Sequence, residues 1–371
     1  MADPKPFRLH IPEDAIRDLH ERLARTRWPD EPPLEPWVSG TSLAYLKDLC
    51  EYWRKGFDWR AWEAKLNAFP QFTVAMDGVD LHYLHIPGRG RDPMPLLLSH
   101  GWPGSVFEFH KLLPMLADDF TVVAPSLPGY GLSFKPGQKR FGVEAISETF
   151  ATLMTDVLGY KRYGAQGGDW GGTISSVLGN RYAERMIGIH LNFLAVRRDI
   201  VAGETPEEAA YYKDLAAFLK EETGYQWIQG TRPQTLAYGL NDSPVGLAAW
   251  IVEKFRAWTD CGGDPESVLS RDEMLADIAL YWFTGTIGSS FWPYYSRMHG
   301  PWPIPEGGAI KVPTGYVQFP KEIFRPPRSV AARTYTDIRR WTVEEKGGHF
   351  AALEQPEVLA REIKAFFAPL R

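Results

Sequence analysis

Residues 164–172 read GAQGGDWGG, a run of glycines around one acidic residue. Within it, Gly167-Gly168-Asp169-Trp170-Gly171 fits the G-x-nucleophile-x-G pattern of a tight strand-to-helix turn, with aspartate in the position usually held by serine. Such a turn needs glycines because its central backbone is strained and neighbouring side chains would clash. A glycine-rich strand-to-helix turn can also cradle a phosphate on helix N–H groups, but an aspartate at its centre repels that anion. A carboxylate with the usual pKa of about 3.9 is charged at neutral pH, so as a nucleophile it needs no partner to remove a proton.

The sequence around this turn alternates between strand-like and helix-like patterns. FTVAMDGVDLHYLHI reads as a hairpin about Asp77-Gly78, while PLLLSH, TVVAPS and YGAQGG read as buried strands. Helical patterns separate them, notably SVFEFHKLLPMLA and GVEAISETFATLMTDVLGY. Strands spaced by helices of this length form a mostly parallel sheet with helices on both faces, and ligands bind beyond the carboxyl ends of its strands. SHGWPG and GGDWGG are therefore expected side by side. Upstream, Ile16, Leu19 and Leu23 recur at helical spacing, and Trp28, Trp37, Trp53, Trp59 and Trp62 mark a segment that wraps onto something larger. Residues from about 197 to 300 break the rhythm and read as a helical insertion, a natural lid. Strand character resumes at AIKVPTGYVQFP and RRWTVEE, and PEVLAREIKAFFAPL closes the chain as an amphipathic helix. The expected division is an N-terminal segment over 1–90, an α/β core over 91–196 and 304–371, and a helical cap over 197–303.

Two further stretches join the aspartate. His100-Gly101-Trp102-Pro103 follows a buried strand, where this kind of fold places one backbone N–H of an oxyanion hole; the residue after the nucleophile supplies the other. Those donors would be Trp102 and Trp170, and Trp102-Pro103 is a candidate cis peptide. Gly347-Gly348-His349-Phe350 lies between the last strand and the last helix, so His349 completes the chain order nucleophile, acid, histidine. The orienting acid belongs at a strand end before it. Glu322 in VQFPKEIF meets this, with Asp337, Glu344 and Glu345 as rivals, the last two lying too close to His349 along the chain.

Composition excludes several classes. The chain has 371 residues, 44% of them hydrophobic, and a net charge of -5 with no basic tract, so nucleic acid and anionic membrane surfaces are not expected partners. No run of about 18 apolar residues is present and the start lacks a signal-peptide core, which points to the cytosol with no membrane anchor. Cys50 and Cys261 show no metal-ligand or disulfide spacing, and no cofactor or metal motif is found.

Taken together, these stretches resemble the epoxide hydrolases of the α/β-hydrolase superfamily, on the microsomal and juvenile-hormone branch and its soluble microbial members. The resemblance rests on FRLHIPEDAIRDLHERLARTRWPDE, LLSHGWPGSVFEF, PSLPGYGLS, GAQGGDWGG, TGYQWIQGTRPQTLAYGLNDSPVGLAAWIVEKF, YWFTGTIGSS, VPTGYVQFPKE and KGGHFAALEQPE, spread over nearly the whole chain. It implies an α/β-hydrolase fold with a helical cap and an N-terminal wrapping segment. It also implies Asp169 as nucleophile, His349 as general base, Glu322 as its acid partner, and Tyr225 and Tyr294 as cap tyrosines that grip the epoxide oxygen. Tyr295 is the adjacent alternative to Tyr294, because SSFWPYYSR departs from the usual arginine-containing local pattern. The implied partners are an apolar epoxide and water, no cofactor, and a homodimer. Two other readings stay open on sequence: a haloalkane dehalogenase, which shares the aspartate and uses a following tryptophan, and a catalytically silent receptor for an apolar ligand.

Overall fold

A computed structural model describes residues 3–197, 201 and 203–371. The start of the expected cap therefore lies partly outside the described residues, as do Met1 and Ala2. Among the described residues the sheet has nine strands: β1 (Lys5–Pro6), β2 (Gln71–Met76), β3 (Val79–Ile86), β4 (Met94–Ser99), β5 (Phe120–Pro125), β6 (Tyr163–Gly167), β7 (Met186–Leu191), β8 (Thr314–Gln318) and β9 (Ile338–Val343). Their spatial order is β1-β2-β3-β5-β4-β6-β7-β8-β9. The β1, β2 and β3 pairings are antiparallel, and every pairing from β5 to β9 is parallel. This is the mostly parallel sheet with a helical insertion that the sequence leads one to expect.

Local chemistry explains the edges. Asp77 and Gly78 close the β2–β3 hairpin with φ of 51° and 82°, the positive pair that a two-residue turn requires to match strand twist. β4 reads MPLLLS with almost no polar interruption because it lies inside the sheet and is covered on both faces, so Leu96, Leu97 and Leu98 are fully buried. β7, MIGIHL, is a strand that the sequence reading did not single out; it seats between β6 and β8. The pattern SVFEFHKLLPMLA is not one helix but a 3-10 turn, Val106–Phe109, followed by a short helix, Leu112–Leu116. Pro114 has no N–H to give the carbonyl of His110, which breaks a continuous helical ladder there.

Between β7 and β8 the chain forms helices Pro206–Glu221, Gly224–Thr231, Pro233–Asp242, Pro244–Trp258, Arg271–Thr284, Ile287–Ser290 and Trp292–His299. Their starts carry the expected caps: Thr205, Ser243 and Ser270 each accept a backbone N–H, and Ser270 with Glu273 completes a capping box. The N-terminal helices Glu13–Ala24, Leu43–Lys55 and Trp59–Asn67 tie this layer to the sheet. Thr41 donates to the Ala249 carbonyl at 2.8 Å, and Tyr52 Oη donates to Asp272 at 2.8 Å. The Trp59 ring lies 4.9 Å from Phe283 in the insertion and 6.3 Å from Phe107 in the core. The tryptophan-rich segment thus wraps as expected, acting as a strap across two layers. Cys50 and Cys261 are free and buried.

Candidate active site

β6 ends at Gly167 and the helix Asp169–Arg181 begins two residues later, so the chain reverses within Gly168 and Asp169. Asp169 has φ 47°, a left-handed conformation that few residues other than glycine adopt. The crowding around it explains the glycines: a Cβ on Gly171 would stand 1.9 Å from the Ser99 carbonyl oxygen of β4. The elbow lifts the Asp169 carboxylate off the sheet, beside the loop that follows β4.

That loop contributes the first contact. The Trp102 N–H donates to Asp169 Oδ1 at 2.7 Å, and the Trp102-Pro103 peptide is cis, as the sequence reading anticipated. Trp170 lies in the first turn of the elbow helix, where backbone N–H groups have no intrahelical acceptor. His349, in the loop after β9, faces the other oxygen, with Nε2 3.3 Å from Asp169 Oδ2. Its Nδ1 lies 2.6 Å from Glu322 Oε1 in the loop after β8. The same oxygen accepts the Ile323 N–H at 2.7 Å. Of the acid candidates, the structure brings Glu322 to the ring. Asp337 pairs with Arg339, and Glu344 with Arg361.

His349 and Glu322 are buried. Burial alone would drive the imidazole neutral, but the carboxylates of Glu322 and Asp169 at its two nitrogens outweigh it and hold the ring's pKa well above the usual histidine value. Phe193 and Trp258 pack against the ring with centroids 5.9 and 5.1 Å away. Among the described residues, no group of His, Cys, Asp and Glu is arranged to hold a metal ion.

Above the carboxylate lies a cavity of about 250 Å³. Its polar wall includes Asp169, Tyr225 and Tyr294, and its apolar wall includes Phe193, Trp302 and Ile323. Tyr225 comes from helix Gly224–Thr231 and stacks on Trp102 at 5.5 Å; Tyr294 comes from helix Trp292–His299 and meets Trp170 edge-on at 4.8 Å. The two phenol rings are 5.8 Å apart. Burial, together with Tyr225 and Asp169 nearby, pushes the Tyr294 hydroxyl well above the usual phenol range, so it stays protonated. Tyr295 turns away and stacks on Trp292 and His299 at 4.7 and 4.1 Å.

The sequence reading missed a second, smaller cavity of about 20 Å³ on the other side of Asp169, bounded by His349, Gln166, Asn192 and Glu108. Glu108 lay within the quoted LLSHGWPGSVFEF, but nothing in its spacing shows that a 3-10 turn carries its side chain back toward Asp169.

The geometry has counterparts in known proteins. Residues 4–109 match the model of the epoxide hydrolase N terminus, and residues 94–192 match the alpha/beta hydrolase fold. Epoxide hydrolase 1 of Sus scrofa is 37% identical over 99% of this chain and 89% of that relative. The crystal structure of juvenile hormone epoxide hydrolase from the silkworm Bombyx mori superposes with a TM-score of 0.89 at 31% identity, covering 100% of this chain and 95% of that one. The Aspergillus niger epoxide hydrolase structure gives 0.88 at 30% identity, covering 100% and 97%. Similarity of this extent, in sequence and in fold, sets aside the dehalogenase and silent-receptor readings: the chain belongs to the epoxide hydrolase family, on the α/β-hydrolase fold.

Proposed function

We propose that this epoxide hydrolase opens an apolar epoxide through a covalent ester on Asp169 and releases a vicinal diol. The observation that carries the reading is the position of one carboxylate at the meeting point of two cavities, with paired phenols in the first and a histidine–glutamate pair at its edge. Asp169 Oδ2 attacks an epoxide carbon while Tyr225 and Tyr294 donate to the ring oxygen, and one phenol delivers its proton to the forming alkoxide. The helices between β7 and β8 act as the cap that carries both phenols.

Ester formation then changes the histidine. It removes the charge from Asp169, one of the two carboxylates that oppose burial at the ring, so the ring gives up its proton more readily. Neutral Nε2 can now take a proton from water, whose oxygen adds to the ester carbonyl carbon. Glu322 orients the ring and stabilises the imidazolium that forms. The N–H groups of Trp102 and Trp170 receive the oxyanion, each such donor contributing about 3 kcal/mol. Collapse breaks the bond between the carbonyl carbon and the alkyl oxygen, which takes the remaining proton of the added water; the diol departs with Asp169 again a carboxylate, and the phenolate regains its proton from solvent.

The test is to incubate His349→Gln with styrene oxide and long-chain alkyl epoxides, then weigh the proteolytic peptide containing Asp169. An adduct of substrate mass is expected on that peptide. Its absence across the panel, with the variant folded, would refute the covalent route.

A further inference from the structure

Proton balance in the proposed reaction raises a requirement that the five residues above do not meet. His349 sheds a proton after each ring opening and regains one when the ester is cleaved, while the phenols lose and regain one on the far side of the substrate. The proton must leave a buried ring at a moment when the alkyl ester fills the cavity in front of it.

Behind Asp169 the protein holds a set of buried acids with no role so far. Glu108 lines the cavity of about 20 Å³ together with Asp169 and His349. It also lines a further cavity of about 10 Å³, shared with Asp277, Glu273 and His110. A water needs about 10–15 Å³ and several polar partners, so the first cavity suits one water. The Glu108 carboxyl lies against Gly104 of the oxyanion loop, in space that only a glycine leaves free: a Cβ at Gly104 would fall 1.3 Å from Glu108 Oε1. Asp277 is only 3% exposed, and neither of its carboxyl oxygens meets a cation or a backbone N–H among the described residues. A buried acid without a counter-charge is costly and persists where it has a use.

We propose that Glu108 holds the hydrolytic water in the cavity it shares with Asp169 and His349, and relays the proton shed by His349 to Asp277. The inference rests on the covalent reading above. No oxidant or further reactant is involved: the proton shed by His349 passes by way of Glu108 to Asp277, and then one O–H bond of the water breaks, its proton going to His349 Nε2 and its oxygen to the Asp169 carbonyl carbon.

The surroundings suit a shared proton. Burial raises Glu108 well above the usual carboxyl range, with Asp277 and Asp169 adding to the effect and His349 opposing it. Burial pushes Asp277 up to about 7, with Ser105 acting in the other direction. Both carboxyls hold a proton more readily than an exposed acid, so a proton can pass from one to the other. Tyr281 and Tyr130 lie on the same side, their hydroxyls raised by burial and by Asp169, which leaves them neutral. His100 is kept neutral by burial, and its Nε2 accepts the Leu127 N–H. At the outer end, Glu273 stays ionised against Lys111 and His110 Nε2, the latter 3.4 Å away, and Lys111 is part-exposed. The cavity next to Asp277 thus borders a charged pair whose lysine is part-exposed.

The experiment measures the two half-reactions separately in Glu108→Gln, with rapid acid quench and mass spectrometry of the Asp169 peptide. Ester formation is expected within about threefold of the parent, and ester hydrolysis at least tenfold slower, so adduct accumulates. Glu108→Asp should recover part of the loss. Asp277→Asn should slow hydrolysis less and alter its pH profile between 6 and 8. Hydrolysis within twofold of the parent, or an equal fall in both half-reactions, would overturn the relay. Should Glu108→Gln fail to fold, Gly104→Ala displaces the same carboxyl and must show the same split. An adduct in His349→Gln alongside normal hydrolysis in Glu108→Gln would sink the relay alone, whereas no adduct in any variant would sink the covalent reading.

Discussion

Nε2 of His349 stands 3.3 Å from Oδ2 of Asp169, so the proposed nucleophile and base form an ion pair before any substrate arrives. The pairing has a checkable consequence. Asp169→Asn removes one of the two charges that hold the imidazole's pKa up, and the His349 resonance should titrate lower in an NMR pH series of the variant. The sign for stability follows from linkage. A histidine raised in the native state contributes fully below its unfolded value of about 6.5, and the contribution is lost as pH rises through the native value. The stability gap between the parent and Asp169→Asn should therefore shrink on the alkaline side. A His349 pKa unchanged in the variant would contradict the pairing.

The two phenols should separate from their neighbour. Tyr225→Phe and Tyr294→Phe each remove a donor aimed into the cavity, and either should slow ester formation about 100-fold in single-turnover assays. Tyr295 stacks on Trp292 and His299 instead, so Tyr295→Phe should stay within about twofold of the parent. A large loss in Tyr295→Phe with none in Tyr294→Phe would reverse the assignment.

The elbow should tolerate no added methyl at Gly171, whose Cβ would meet the Ser99 carbonyl 1.9 Å away. Neither the strand backbone nor the helix can yield cheaply, so Gly171→Ala should lose about 3 kcal/mol or fail to fold. Urea denaturation provides the measurement. By contrast, Gly159→Asn, at φ 76° with open space around it, should cost under about 1 kcal/mol.

Glu362 fastens the last helix to the edge of the sheet. Its carboxylate accepts Arg340 at 2.7 and 3.0 Å and Thr342 Oγ1 at 2.8 Å, and its side chain is 1% exposed. Burial works against the charge, but these donors prevail and lower the pKa to about 2. Glu362→Gln should cost about 2–3 kcal/mol at pH 7. A depressed carboxylate contributes fully above its ordinary value near 4.5 and loses that contribution as pH falls through about 2. The difference in urea midpoint between parent and variant should accordingly narrow below pH 4.

Residue order alone determined much of this protein. GAQGGDWGG placed a charged carboxylate on a strained elbow because only glycines permit its backbone, and HGWP and GGHF followed predicted strands at the positions expected of an oxyanion loop and a base. Apolar runs such as PLLLS identified buried parallel strands, since a strand covered on both faces has no polar side to alternate. The short run MIGIHL went unread as β7, because six residues after a helix carry too little periodicity to declare a strand. Tertiary structure decided what depends on approach through space. It set Glu322 rather than Asp337 against His349, turned Tyr294 inward and Tyr295 outward, and put Glu108 and Asp277 behind Asp169 from elements more than 150 residues apart. These outcomes follow from which side of a loop or helix faces the cavity, and a rotation of one residue reverses them. Local propensity holds no record of that rotation; the packing of the cap against the sheet does.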